Sequence, residues 1–471
     1  MHMPLLQRWR QAISKMSSAS PSRFAVLVFT SIIFLWSLLL TLPISSADGT
    51  PTRYLDALFT AVSTICVTGL STVDMSTHWS PFGNVVIFLG IEVGAIGVLT
   101  LASILGSVVT RKLGLRQRLI AASDGNALRL HRGAVSESQA VRLGEIGGML
   151  ATVALSLIII ETIIALFILP VFWASDLVTH WWDAVSYSFY YSASAFTNTG
   201  FAPNPGGVPE FADNGWFLGC LAAATFLGSL GFPVLFSLVR WARDRSKRPG
   251  VHVKLTLAAT LVLFVLGALT LWLLESGNSD TFGSRTPIEG LLGGSFLSVM
   301  ARSGGFSTID INAMNDSSLL VLDALMFVGG GSASTAGGIK VTTLAVLFLA
   351  AVAEARGSSD LQLFRRRIPH DVLRLAIAVA LWGAMVVGVS SILVMSLSGA
   401  GMREAIFDTI SAFATVGLST GLTESTTPAA QLVLAVTMWL GRVGTVTMAA
   451  AVASSERKQL YRLPEERIIV G

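Results

Sequence analysis

Val67-Thr68-Gly69-Leu70-Ser71-Thr72 is a short phrase, but close versions of it recur along the chain. Ser303-Gly304-Gly305-Phe306-Ser307-Thr308 and Val416-Gly417-Leu418-Ser419-Thr420 keep a glycine, one bulky apolar residue and then Ser-Thr. Asn198-Thr199-Gly200-Phe201 keeps the glycine and the bulky residue, then turns to Ala202-Pro203. The four glycines are separated by 131, 105 and 112 residues, about the size of a hairpin of two membrane helices. Repeats of such a period mark supersecondary units that cannot bury themselves alone. Four polar, glycine-bearing loops between apolar segments suggest a pore ringed by backbone carbonyls.

Composition fixes the solvent. Of 471 residues, 52% are hydrophobic and 13% charged, against about 25% charged in soluble proteins. Phe24–Leu42, Val85–Val109, Ile146–Leu169, Trp216–Leu238, Leu255–Leu274, Leu375–Leu397 and Leu432–Val452 are each long enough to cross a hydrocarbon core of about 30 Å. An integral membrane protein follows, with Phe24–Leu42 as its first span rather than a cleaved signal. Cys66 and Cys220 lie far apart in apolar contexts and imply neither a disulfide framework nor a metal site. Haem, nucleotide and zinc motifs are absent, so no covalent cofactor and no nucleic-acid partner is expected. The six histidines are scattered at ends and loops without a second ligand at useful spacing, which argues against an enzyme.

Charge sets the orientation. Segments 1–23, 111–142, 240–254, 356–374 and 457–467 hold 26 of the 32 lysines and arginines. The positive-inside rule puts these segments and both termini in the cytoplasm. The glycine loops then face outside, among Asp74, Asp176, Asp213, Asp280, Asp310 and Glu424. These acids are either ordinary solvated loop residues or a means of concentrating cations at a pore mouth. Trp79, Trp173, Trp181, Trp182 and Trp216 fit an outer interfacial belt, and the basic loops suit contact with anionic lipid.

With every glycine loop outside and every basic loop inside, each repeat must run outward, dip partway in and return. The expected fold is all-α, with eight spanning helices and four re-entrant pore helices in four parallel repeats about one pore. The expected organisation is 1–23 cytoplasmic, repeat 1 at 24–110, a basic loop at 111–142 and repeat 2 at 143–240. A loop at 241–254, repeat 3 at 255–352, a loop at 353–370, repeat 4 at 371–452 and a cytoplasmic tail at 453–471 complete it. The pore helices are expected at 53–66, 180–196, 287–301 and 403–414. Ser63, Ser194 and Ser411 each stand six residues before their glycine, and Phe59 and Phe407 ten before, so the copies agree beyond the glycine itself.

A filter replaces a cation's hydration shell with oxygens, which needs carbonyls on a chain able to adopt left-handed dihedrals. Val67, Thr68 and Gly69, then Asn198, Thr199 and Gly200, then Ser303, Gly304 and Gly305, and last Thr415, Val416 and Gly417 are the expected ladder. The carbonyls of Thr68, Gly69, Thr199, Gly200, Gly304, Gly305, Val416 and Gly417 are its expected cation ligands.

These phrases resemble the membrane subunit of the Trk/Ktr/HKT superfamily of potassium transporters, closest to the bacterial Ktr type, over essentially the whole chain. Val67-Thr68-Gly69-Leu70 and Ala301-Arg302-Ser303-Gly304-Gly305-Phe306 are its most specific matches. The resemblance implies a bacterial plasma-membrane protein with one filter glycine per repeat: Gly69, Gly200, Gly305 and Gly417. Members with serine at the first of these tend to prefer sodium, so Gly69 implies K⁺ as the transported ion. It also implies a homodimer with one pore per protomer, a cytosolic ring of nucleotide-binding regulatory subunits, and Na⁺ as a modulator in some relatives. The tail Tyr461–Gly471 resembles that of Ktr membrane subunits, where it lies near the dimer interface.

Residues 327–340 put Gly329, Gly330, Gly331, Gly337 and Gly338, with Ser332, Ser334 and Thr335, in mid-membrane. Glycine disfavours helix by about 1 kcal/mol per residue, so the third inward helix should break there. A break beneath a filter is a natural gate, and the resemblance agrees. Lys340 at its inner end either repels cations or tethers the loop. Arg442, inside the fourth inward helix, is read as a constriction beside this gate or as half of an ion pair with Glu92. Arg302 is expected to brace its filter strand from behind. The alternative function is a symporter coupling K⁺ to Na⁺ or H⁺. That class is marked by inverted repeats and discontinuous helices, whereas these repeats are parallel and only one inward helix is expected to break.

Overall fold

The computed structural model describes residues 21–97, 137–178, 180–246, 248–358 and 361–444. The expectations for residues 1–20, the end of repeat 1 at 98–110, most of the basic loop 111–142, the end of repeat 4 at 445–452 and the tail 453–471 fall outside these. In the first repeat α1 (Pro21–Thr41) is followed by the short α2 (Tyr54–Cys66) and by α3 (Pro81–Ile96). The second has α4 (Glu137–Trp173), α5 (Trp181–Phe196) and a bent pair, α6 (Gly215–Leu230) and α7 (Phe232–Arg243). The third has α8 (Val251–Glu275), α9 (Pro287–Met300) and a broken pair, α10 (Asp316–Phe327) and α11 (Val341–Ala355). The fourth has α12 (His370–Ser398), α13 (Met402–Ala414), the single turn α14 (Leu422–Ser425) and α15 (Pro428–Trp439).

Local chemistry starts these helices where it should. Ser80, Asn214 and Thr427 accept hydrogen bonds at their helix N-termini from the amides of Gly83, Phe217 and Ala430. Thr286 and Glu289 form a reciprocal capping box ahead of α9. Proline follows the cap at Pro81, Pro287 and Pro428, where its missing N–H costs nothing. At the other end, α2 and α13 stop because Val67 and Thr415 turn left-handed.

The molecule is apolar on both sides of its helices. Leu266 and Leu273 on α8 are 56% and 61% exposed, and Leu381 on α12 is 67% exposed. In water such faces would associate; against lipid they are the proper surface. Among the described residues, Leu155–Trp173, Val251–Glu275 and His370–Ser398 are long and apolar enough to cross a membrane unaided. Trp173, Trp181, Trp182 and Trp216 are exposed, as a belt requires, but Trp79 is 3% exposed and packs edge-on against His78.

Two observations correct the sequence reading. The third inward helix breaks at 328–340, but it is not alone. The second is bent by 100° at Gly231, whose φ is +93°. The first stops at Ile96 before Gly97 at φ +87°, and the fourth passes into a π-turn at Leu440–Gly444. Second, the segment between α11 and α12 contains strand where an all-α chain was expected. Gln362–Leu363 (β1) pairs antiparallel with Arg366–Arg367 (β2). Phe364 and Arg365 both have positive φ there, as a two-residue hairpin turn demands.

Candidate functional site

The four glycine loops share one backbone conformation. Gly69, Gly200, Gly305 and Gly417 have φ of +94°, +84°, +73° and +97°. Two residues earlier, Val67, Asn198, Ser303 and Thr415 are also left-handed, at +58°, +64°, +82° and +50°. For Val67 and Thr415, which are β-branched, this costs roughly 1–3 kcal/mol each. Hydrogen bonds back to the short helices α2, α5, α9 and α13 offset it. The amides of Thr68, Thr199 and Val416 donate to the carbonyls of Ser63, Ser194 and Ser411 at 2.8, 2.8 and 2.9 Å, and Gly304 donates to Met300 at 2.7 Å. The Gly69 and Gly417 amides donate to the hydroxyls of Ser63 and Ser411 at 3.0 and 3.1 Å.

Because a trans peptide points its C=O opposite to its N–H, amides turned toward these short helices turn the carbonyls away from them. Among the described residues, the carbonyls of Thr68, Gly69, Thr199, Gly200, Gly304, Gly305, Val416 and Gly417 accept no hydrogen bond. The carbonyl of Thr415 does accept one, from Ser303 Oγ at 2.7 Å, which ties the third loop to the fourth. The hydroxyls of Thr68 and Thr415 are buried without a partner among the described residues.

The loops meet in a closed ring. A Cβ built on Gly69 would stand 1.9 Å from the Thr199 carbonyl oxygen, and one on Gly200 would stand 2.9 Å from that of Gly304. One on Gly305 would stand 2.6 Å from the Val416 oxygen, and one on Gly417 would stand 2.4 Å from that of Thr68. Each glycine therefore abuts the carbonyl just ahead of the next repeat's glycine, in the order first, second, third, fourth, first. No side chain fits at any of the four. The short helices α2, α5, α9 and α13 end at this ring, so the negative ends of their dipoles face it.

The break in the third inward helix packs beneath the ring. A Cβ on Gly337 would lie 2.2 Å from Thr415 Oγ1, and one on Gly338 would lie 3.1 Å from the Ala414 Cα. Thr335 Oγ1 donates to the Phe196 carbonyl at 3.4 Å. The Gly331 amide donates to Ser229 at 2.7 Å and the Phe232 amide to Ala333 at 3.2 Å, so the loop is stitched to the bend at Gly231. Gly329 donates to Ile339 at 2.8 Å, closing the neck of the loop. Ser334 Oγ donates to Gly331, and the Ser332 hydroxyl meets that of Thr342. Gly330 packs on the Ser229 carbonyl. Lys340 Nζ turns back to the Ala336 carbonyl at 2.5 Å, which is the tethering geometry of the two open from sequence. Arg442, 7% exposed, donates to the carbonyls of Thr335 in the loop and of Gly94 on α3, the latter at 2.9 Å.

Sequence reasoning missed a second repeat. Gly94, Gly228 and Gly441 occupy equivalent places on three inward helices. A Cβ on them would stand 2.4, 1.9 and 1.8 Å from the carbonyls of Ile65, Phe196 and Phe413. Those carbonyls each belong to the residue four before a ring glycine. The signal was present as Gly94-x-x-Gly97, Gly228-x-x-Gly231 and Gly441-x-x-Gly444. Arg302 lies away from the ring, buried with its Nη1 on the Thr260 carbonyl at 2.8 Å. Glu92 of α3 meets Glu161 of α4, carboxyl to carboxyl.

Outside the ring, hydrogen bonding from Ser76 holds the Asp74 carboxyl below its ordinary range. Ser46 and Thr50 hold that of Asp48 at about 2. Glu424 is pushed upward, by desolvation first and then by the carboxylates of Asp74 and Asp408.

Long apolar-faced helices, and short ones that end at a shared ring of backbone, define an all-α integral membrane protein. The chain belongs to the TrkH family of cation transport proteins, whose family model matches residues 5–460. It is similar to the Ktr system potassium uptake protein B of Vibrio alginolyticus, with 32% identity over 95% of this chain and 94% of that one. To the protein of the same name from Bacillus subtilis it is 31% identical, over 96% and 97%. The crystal structure of the potassium transporter TrkH from Vibrio parahaemolyticus shares its fold, with a TM-score of 0.66 at 17% identity. That match covers 91% of this chain and 84% of the other.

Proposed function

We propose that this chain is the K⁺-selective, channel-like translocating subunit of a bacterial potassium uptake system. The observation that carries the reading is the closed ring: each of Gly69, Gly200, Gly305 and Gly417 sits against the carbonyl that precedes the next repeat's glycine. Carbonyls free of protein partners, with no room for side chains between strands, are what a cation shedding its water needs. The names of the Ktr relatives supply K⁺ as the ion. Beneath the ring, residues 328–340 act as the gate, with Arg442 joining the loop to α3 and Lys340 holding its inner end. A homodimer, both termini in the cytoplasm, and a cytosolic nucleotide-binding ring that works the gate complete the reading.

Expression in a bacterium stripped of its own K⁺ uptake tests it. Growth at low K⁺ with the wild-type chain, and none with Gly305→Ser at equal membrane abundance, is the expected result. Equal rescue by both would remove the filter from the account.

A further inference from the structure

Asp408 lies in the second turn of α13, nine residues before Gly417, and is fully buried. Its carboxyl group accepts five hydrogen bonds and donates none. Oδ1 takes the Thr420 amide at 2.9 Å and the Thr420 hydroxyl at 3.0 Å. Oδ2 takes the Ser419 hydroxyl at 2.7 Å, the Thr423 amide at 3.0 Å and the Thr423 hydroxyl at 2.7 Å. An acceptor-only group of this kind is a carboxylate, and bonds to it are stronger than neutral ones. One turn further along the same helix face, Ser411 holds the Gly417 amide. The fourth ring strand is thus fastened to one helix at two points, its glycine by Ser411 and its outer exit by Asp408.

Among the described residues, no other repeat gathers its exit onto one buried carboxylate in this way. The residue nine before the glycine is Thr60 in the first, with its hydroxyl buried and without a partner among the described residues, and Phe296 in the third. In the second it is Tyr191, whose hydroxyl donates to Asn204 in the exit loop, while Ser194 Oγ donates to the Phe201 carbonyl at 2.8 Å. In the first repeat a single bond, from Thr72 Oγ1 to Asp56 at 2.8 Å, does the corresponding work.

We propose that Asp408 is a positioning residue for ion discrimination. By fixing Ser419, Thr420 and Thr423 it sets where the carbonyls of Val416 and Gly417 stand in the ring. This rests on the filter reading above. Discrimination between K⁺ and the smaller Na⁺ requires that a strand not collapse inward, and the exit of this strand is held by five hydrogen bonds to one carboxylate.

The test is the K⁺/Na⁺ permeability ratio of the purified full-length protein in liposomes, a quantity independent of how many molecules are active. In Asp408→Asn the amide nitrogen faces donors on one side and orphans at least one backbone N–H. The ratio is expected to fall roughly tenfold while K⁺ still passes. Thr423→Val should lower it in the same direction by less, and Thr423→Ser should restore it. Should Asp408→Asn not fold, the Thr423 pair decides the matter. A wild-type ratio in folded Asp408→Asn, or the same ratio in Thr423→Val and Thr423→Ser as in wild type, overturns the assignment and leaves the filter standing. A wild-type protein with no K⁺ preference removes the filter reading, and this assignment with it.

Discussion

The Gly69 α-carbon faces the Thr199 carbonyl so closely that a Cβ on it would stand 1.9 Å from the oxygen. Gly69→Ser must therefore displace the second repeat's strand or its own, on a backbone whose φ of +94° already disfavours an L side chain. Either way the close contact between Gly69 and the Thr199 carbonyl is lost and the ring opens at that joint. K⁺ uptake is expected to fall by about tenfold or more, with Na⁺ uptake less affected. Parallel K⁺ and Na⁺ flux assays check it. An unchanged ratio would mean that this carbonyl does not select.

Arg442 joins two elements, the loop at Thr335 and α3 at Gly94. Charge-assisted hydrogen bonds contribute about 1.5–3 kcal/mol each, enough to shift an open–closed balance by tenfold or more. Arg442→Gln should raise K⁺ flux through liposomes that contain this chain alone. A fall in flux, with folding intact, would argue that the arginine supports the open path.

Gly441 and Gly388 separate packing from propensity. A Cβ on Gly441 would lie 1.8 Å from the Phe413 carbonyl, whereas one on Gly388, in mid-α12, would meet nothing within 4 Å. Gly441→Ala should destabilise the protein by about 1–3 kcal/mol through overpacking. Gly388→Ala should be neutral or stabilise by up to about 1 kcal/mol from helix propensity. Thermal unfolding in detergent reads both, and equal effects would contradict the close contact.

Glu424 gives a pH dependence of known sign. Desolvation and the carboxylates of Asp74 and Asp408 raise its affinity for protons, so it loses its charge at a higher pH than an ordinary glutamate. As external pH falls, this negative charge is lost at a higher pH than an ordinary glutamate's would be, and K⁺ uptake at low ionic strength should drop. Glu424→Gln should lower uptake at neutral pH and flatten the profile, and 0.5 M salt should erase the difference because it screens such fields. An unaltered profile in Glu424→Gln would place the charge outside the ion's approach.

Much of this geometry was legible because it is carried by the backbone. A glycine that must sit at positive φ against a neighbouring carbonyl announces itself in sequence, and four of them announced a ring. The break at 328–340 was legible for the related reason that clustered glycines do not hold a helix. The bend at Gly231 was not read, because one glycine in Leu230-Gly231-Phe232 differs little from a tolerated helical glycine until the loop at Ala333 is seen to bond to it. Asp408 was invisible as well. Its five donors come from a turn whose path no local pattern specifies, and a lone aspartate in a pore helix reads as an ordinary polar residue. The burial of Trp79, expected at an interface, depends on the chain folding back at Ser46, which the sequence does not announce.

The most direct measurement is the reversal potential of the purified chain in proteoliposomes under opposing K⁺ and Na⁺ gradients. The account predicts a potential that follows the K⁺ gradient and collapses in Gly69→Ser and Gly417→Ser. A potential set instead by a fixed stoichiometry of K⁺ with Na⁺ or H⁺ would contradict it and put a coupled carrier in its place.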